Sequence, residues 1–321
     1  MSNLSAEKWS ALWRNQTTTT LPSMFEENYD LNIADFWHEV LDGNHQSIID
    51  LACGNGALAW LANDLFSQQG QTTKVTGIDT ANIDPFKVLN KDRKKFPMLD
   101  FIGNTAIEKL PFKDDSIDLA ISQYGLEYSN LHVSIPEISR VLKPKAKVGF
   151  ILHNNESFLL KGSTISLDRH LQVLRKVKIH DLFFELDRLF GRSKDLEKII
   201  AKPKIRKKMN AINAATLQIK DIMSDVKAGL EIERYSQSMF NAFSEESIRK
   251  SIDRKKAIHQ AINHLQSYID RIVDLKTAAL SPAELGVLVN LIEKEGFTIS
   301  ENHPIAYKEH KNLGTAFIAH R

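Results

Sequence analysis

Ile48-Ile49-Asp50-Leu51-Ala52-Cys53-Gly54-Asn55-Gly56-Ala57-Leu58 is the stretch on which the fold turns. A short apolar run brings in a strand and ends at an acidic residue. Gly54 and Gly56 permit a tight turn and the close approach of a ligand to the backbone. Residues 57–65 then carry helical character, so the first turn of that helix presents free N–H groups toward the bend. Asp50, at the strand end, can accept a hydrogen bond from a cationic amino group. A third glycine is missing, since Ala59 stands three residues after Gly56, a substitution that the dinucleotide fingerprint tolerates. An acid just ahead of the glycines would repel a pyrophosphate, which argues against a dehydrogenase.

Outward from this turn the same alternation repeats. Residues 74–78 are β-like and end at Asp79, about 23 residues after Gly56, close to the spacing at which an acid meets a ribose diol. Residues 99–102 and 117–122 are further short apolar runs, the second with Asp118 embedded. Residues 133–142 read as a helix with Pro144 just past its end, and 147–152 as the last strong run. Such alternation predicts a parallel sheet with helices on both faces. Upstream, Trp9, Leu12 and Trp13 fall at helical spacing, and so do Phe36, Trp37 and Val40.

From about residue 156 to 280 strand signal almost disappears. Apolar residues recur at three- and four-residue spacing, as in Leu171, Leu174, Val177 and in Ile212, Leu217, Ile219, Ile222, and the run from Lys202 to Lys208 is expected to break the zone in two. The apolar side chains around Asp187 and Arg188 fit either packing or a substrate wall. At residue 281 the α/β character returns. Ser281-Pro282-Ala283-Glu284 opens a helix with Ser as N-cap, Pro at the first position and Glu three residues on. Residues 297–307 and 314–319 read as two closing strands. The expected organisation is an N-terminal helical segment (1–44), an α/β core (45–155 and 281–321) and a helical insertion or cap (156–280).

The five segments, in their order and spacing, resemble the class I S-adenosylmethionine-dependent methyltransferases. The turn after the first strand is similar to that family's first motif. Phe101-Ile102-Gly103-Asn104-Thr105-Ala106-Ile107-Glu108-Lys109-Leu110-Pro111-Phe112 is similar to its adenine loop, with Asn104 where Asp is usual. Residues 114–128 and 138–150 resemble its fourth strand and the helix–turn–strand that follows. The resemblance covers residues 45–155 closely and 281–321 by pattern, and it does not reach the helical zone. It implies a Rossmann-like α/β fold with a seven-stranded, mostly parallel sheet whose last strand is antiparallel. It implies S-adenosylmethionine as cofactor and S-adenosylhomocysteine as product. The implied cofactor contacts are Asp50, Ala52, Cys53, Gly54, Asn55 and Gly56 at the first turn, Asp79 and Thr80 at the second strand, Asn104, Thr105 and Ala106 in the adenine loop, Gln123 at the fourth strand, and Tyr29 with the Trp9–Trp13 stretch folding over the site.

Transfer of a methyl group from a sulfonium is an in-line displacement, so the protein mainly aligns the reactants. An oxygen or nitrogen nucleophile can require a general base. His153, at the end of the fifth strand, is the leading candidate because an imidazole titrates near working pH. Tyr124 is a second, although a place in the cofactor wall suits it as well; Glu127 and Tyr128 follow.

Composition narrows the rest. With one cysteine, Cys53, the chain forms no intrachain disulfide, and its eleven histidines show no metal-ligand spacing. No apolar run approaches the ~20 residues that a membrane helix needs, and residues 1–15 lack a secretory core, so a cytoplasmic location is expected. Between Lys161 and Lys256 stand 22 basic and 13 acidic side chains, within a chain of net charge +2. That block suits solvated helix faces, an acidic substrate or nucleic acid. A small-molecule acceptor under a helical lid is therefore the leading expectation. A methyltransferase acting on RNA or protein through the basic insertion, and a non-catalytic cofactor-binding scaffold, remain open. The motif Asn/Asp-Pro-Pro-Tyr/Phe of amino-methylating nucleic-acid enzymes is absent; Gln123-Tyr124-Gly125-Leu126 stands in its place.

Overall fold

The computed structural model describes residues 3–21, 24–25, 27–191, 195–226 and 230–321. Seven strands form one sheet: β1 (Ser47–Leu51), β2 (Lys74–Ile78), β3 (Leu99–Ile102), β4 (Ile117–Gln123), β5 (Leu142–Leu152), β6 (Thr298–Tyr307) and β7 (His310–His320), in the order β3-β2-β1-β4-β5-β7-β6. Strands β1 to β5 pair in parallel, and β7 runs antiparallel to both β5 and β6. The chain reverses its direction of travel at β1, first building outward to β3 and then crossing back to β4. In open α/β sheets a ligand crevice lies at the strand tips where this happens.

Apolar residues on both faces explain why these strands read as continuous hydrophobic runs. Ile48, Leu119, Ile121 and Ile151 face one side, where α2 (Leu31–Val40) and α3 (Ala57–Gln68) supply Ile33, Trp37, Val40, Leu58, Trp60 and Phe66. Ile49, Leu51, Ala120, Phe150 and Leu152 face the other, covered by α5 (Leu131–Val141) and α13 (Pro282–Lys294) through Ile135, Ile138, Leu288 and Ile292. A Cβ on Gly149 of β5 would lie 2.4 Å from a Val40 methyl, so glycine sets how closely α2 approaches the sheet. Helix α13 begins with the expected capping box, in which Ser281 and Glu284 bond each other's backbone N–H groups. The remaining helices of this part are α1 (Asn3–Trp13) and the short α4 (Pro85–Val88).

The chain divides into two compact units, Met1–Lys161 with Asp274–Arg321, and Gly162–Val273. The second unit is helical throughout: most of α6 (Phe158–Gln172), then α7 (Ile179–Phe190), α8 (Leu196–Ile200), α9 (Pro203–Ile222), α10 (Leu230–Ala242), α11 (Glu245–Arg249) and most of α12 (Arg254–Ala278). Its own core joins Phe183, Leu186 and Phe190 of α7 to Ile205, Ile212 and Ile219 of α9, Tyr235 and Met239 of α10, and Ile258, Leu265 and Ile269 of α12. The apolar residues around Asp187 are therefore packing, and Asp187 itself pairs with Arg254 at 2.7 Å. Two readings of this zone need correction. The basic run does not interrupt helix beyond its first residue: Lys202 is the N-cap, Pro203 takes the first helical position, and the lysines after it continue α9. Leu217 does not join the buried stripe, because five residues separate it from Ile212 and that phase turns it outward.

Candidate active site

The tips of β1, β2 and β4 open into one pocket of about 670 Å³, counted to its mouth. Its walls come from four places: the β1–α3 turn (Asp50, Ala52, Cys53, Ala57, Leu58), the β2 tip (Asp79, Thr80), the β4 tip (Gln123, Tyr124, Gly125, Tyr128), and the N-terminal segment (Trp9, Trp13, Thr18, Thr19, Thr20, Tyr29).

The turn is built by backbone geometry that glycine permits. Gly54 and Gly56 have φ of +55° and +83°, and a Cβ on Gly56 would stand 2.4 Å from the Phe101 ring. The Gly54 N–H donates to Asp79 Oδ2 at 2.8 Å, and the Ala81 N–H to Asp79 Oδ1 at 2.7 Å. The glycine bend and the acid of the neighbouring strand thus belong to one constellation. Asp50 is buried at the base of α3 and accepts the Ala59 N–H at 3.1 Å, where the helix dipole favours a negative charge. Burial raises the Asp50 carboxyl well above its ordinary range, the Ala59 N–H opposes this, and the charge of Asp79 adds to it. Burial likewise lifts Asp79 to about 6 against the two N–H donors. Two carboxylates held in a low-dielectric wall are stabilised by a cation between them.

The N-terminal segment is fastened by Asn55. Its side-chain amide donates to the carbonyls of Trp13 at 3.0 Å and Thr17 at 2.8 Å. Asn55 is thus committed to holding the segment and does not line the pocket. The Trp13 indole lies directly on Gly54, and Trp9 stacks on Trp13 and meets Tyr128 edge-on. Tyr29 is set into the wall by Asn28, whose amide donates to the Ala57 carbonyl at 2.9 Å. Burial, with Asp50 nearby, raises the Tyr29 phenol.

The adenine-loop residues sit otherwise than the resemblance implies. Asn104 is exposed with φ +54°, and its N–H bonds the Ala81 carbonyl; the Thr105 N–H bonds the Asp79 carbonyl at 2.9 Å, and Ala106 is exposed. Asn104 and Thr105 brace the β2 tip through their backbone N–H groups. The loop residues that face a cleft are Ile107 and Glu108, which line a smaller hollow with Ala52, Thr80, Gly125, Tyr128 and Ser129. Those two, and Thr18 to Thr20, carried no signal in the sequence beyond their neighbourhood.

Tyr124 follows β4 with φ +57°, a left-handed conformation that is strained for an aromatic residue. Its hydroxyl donates to the Leu313 carbonyl at 3.2 Å, which leaves the ring as wall. His153 stacks on the Tyr124 ring at 4.1 Å and lies outside the pocket lining. Burial pushes its imidazole down to about 3, so it is neutral at pH 7, and its Nδ1 is buried without a partner among the described residues. Glu127 Oε1 accepts the His153 N–H at 2.8 Å and ties the β4 tip to the β5 tip. Burial lifts Glu127 to about 8, against the His153 N–H. Gln123 has a fixed orientation: the Trp37 indole N–H can only donate, so Oε1 must face it (2.5 Å), and the buried Nε2 is left without a partner among the described residues.

A family model described as a methyltransferase domain matches residues 49–150, which span the glycine turn, both acids and the β4 tip. That stretch, about a third of the chain, is similar to methyltransferase domains. Over 116 residues the chain is 34% identical to a 2-phytyl-1,4-naphtoquinone methyltransferase of Nostoc sp., covering 34% of this chain and 49% of the relative. A chloroplastic 2-phytyl-1,4-beta-naphthoquinone methyltransferase of Arabidopsis thaliana is 30% identical over 132 residues, 39% of this chain and 48% of that one. An uncharacterized methyltransferase of Bacillus subtilis is 35% identical over 103 residues, 31% of this chain and 40% of the other. The chain spans about half the length of the first two relatives that it matches.

Proposed function

We propose that this chain binds S-adenosylmethionine in the pocket at the tips of β1, β2 and β4 and transfers its methyl group to a small-molecule acceptor. The observation that carries the reading is the shared geometry of Gly54 and Asp79, 2.8 Å apart, with Asp50 on the same pocket. The residues fit the group. Two buried carboxylates suit a ligand that bears a cationic amino group and a diol, and five aromatic rings in the wall suit a purine and a sulfonium. The unpartnered Gln123 Nε2 supplies a donor at the β4 tip.

When bound, S-adenosylmethionine supplies a methyl group already activated on sulfur. The chain's part is then alignment and exclusion of water. Asp79 would hold the ribose hydroxyls and Asp50 the amino group, while Trp9, Trp13 and Tyr124 close the walls. His153, neutral and one ring behind the pocket, would act through Tyr124 or as a weak acceptor. The naphthoquinone methyltransferases among the relatives make an aromatic, oxygen-bearing acceptor the first class to assay. No observation favours nucleic acid over it.

Calorimetry with S-adenosylhomocysteine tests the cofactor site. Asp79→Ala is expected to abolish binding while the protein stays folded; unchanged affinity refutes the assignment. His153→Ala is expected to lower cofactor affinity and turnover together by loosening the Tyr124 wall; a loss of turnover with affinity unchanged would give it a role in the chemistry.

A further inference from the structure

The helical unit, Gly162–Val273, holds 22 Lys and Arg against 14 Asp and Glu, although the whole chain is close to neutral. On α9 this charge meets exposed apolar side chains. Ile205, Ile212 and Ile219 recur every seven residues and are buried; Arg206, Asn213 and Lys220 form an exposed row at the same period. Met209 and Leu217 flank that row, about 60° to one side of Arg206 and about 20° to the other. Leu217 is 67% exposed, the most of any large apolar side chain among the described residues, and Met209 is 39% exposed. Arg206 and Lys220 on that row, with Lys202 at the N-cap, are exposed and form no ion pair among the described residues, whereas Lys204 and Lys207 lie about 160° and about 100° around the helix from Arg206 and Lys208 is committed to Glu185. The helix carries one acid, Asp221, near its end.

We propose that this face of α9 docks on an anionic phospholipid surface, with Met209 and Leu217 entering the headgroup layer and Lys202, Arg206 and Lys220 meeting the lipid phosphates. A helix lying in the interface needs apolar side chains and cations on one presented face, and both are here. A nucleic-acid backbone would use the cations but gives Leu217 nothing to bury in. A protein surface could cover Leu217, but the unpaired cations on the same face, Lys220 one turn away and Arg206 and Lys202 toward the helix start, call for a negative field. The surface lies wholly within the helical unit and does not depend on the reaction assigned above.

Vesicle sedimentation with the full chain tests this, using phosphatidylcholine vesicles with and without phosphatidylglycerol at low and high salt. Wild-type protein is expected to sediment with the anionic vesicles at low salt, to be released by high salt, and to stay in solution with phosphatidylcholine alone. Replacing Lys202, Arg206 and Lys220 by Gln is expected to weaken partitioning at least about tenfold. The separate pair Met209→Gln and Leu217→Gln, which leaves the charge intact, should weaken it several-fold. Both sets alter exposed positions, and far-UV circular dichroism checks that the helices persist. The proposal is overturned if wild-type protein ignores anionic vesicles at low salt, or if the apolar pair binds undiminished. It is equally overturned if a single-stranded RNA binds more tightly than the vesicles, or if Leu217→Gln dissociates a dimer formed without lipid.

Discussion

Buried ionisable side chains set the pH behaviour of the α/β unit. Glu127 titrates near 8 in the folded chain, above its ordinary value, so the folded state holds more protons than the unfolded chain between about 4.5 and 8. Its contribution to stability is therefore lost as pH rises through that window. His153, pushed down to about 3, acts in the opposite sense: its stability is present above about 6.5 and lost as pH falls. Glu127→Gln keeps an acceptor for the His153 N–H and removes the charge. It is expected to flatten the decline of stability between pH 5 and 8 (about those bounds) and to raise stability at pH 8 by on the order of a few kcal/mol, read from urea midpoints. Asp79, near 6 without ligand, must be ionised to receive hydroxyl donors, so S-adenosylhomocysteine affinity should fall below pH 6 and level off above it. A flat profile across that range separates Asp79 from binding. Gly56→Ala costs about 1–2 kcal/mol for left-handed backbone alone, with displacement of Phe101 added, and the denaturation midpoint shows it.

At the scale of elements, what local pattern specifies was legible in the sequence. The strands β1 to β5 announced themselves because both faces are buried, and the capping box fixed the start of α13 to the residue. Ser281→Ala should accordingly cost about 1 kcal/mol of stability by thermal unfolding. What depends on which elements meet was not legible. Asn55 looked like a ligand contact because it lies between two glycines, yet its amide holds Trp13 and Thr17. Asn104 was read from its place in a motif, but the loop turns it outward and presents Ile107 and Glu108 instead. Thr18 to Thr20 reach the pocket only because that anchoring brings them there. Leu217 was misphased by one position, a small error in sequence that moves a side chain from core to surface.

For the molecule as a whole, the two units carry separate cores, and the residues that titrate unusually near the pocket all lie in one of them. Unfolding is then expected to depart from a single two-state transition. Hydrogen exchange followed by mass spectrometry should show protection in α7, α9 and α12 that is insensitive to the Glu127 substitution, while β4 and β5 respond to it. Uniform change in both units would mean that they open together. No helix among the described residues is long and apolar enough to cross a membrane.

Cys53 is the chain's one cysteine, and it sits in the pocket wall, nearly buried, with its thiol held protonated by burial and by the nearby acids. An alkylating reagent in the surrounding solution can therefore modify the native protein at a single address, and only when that wall loosens. The rate of labelling becomes a clock for breathing motions at the strand tips. A bound occupant should slow it without any engineered probe, so a library of candidate compounds can be ranked by how long each shields one sulfur atom.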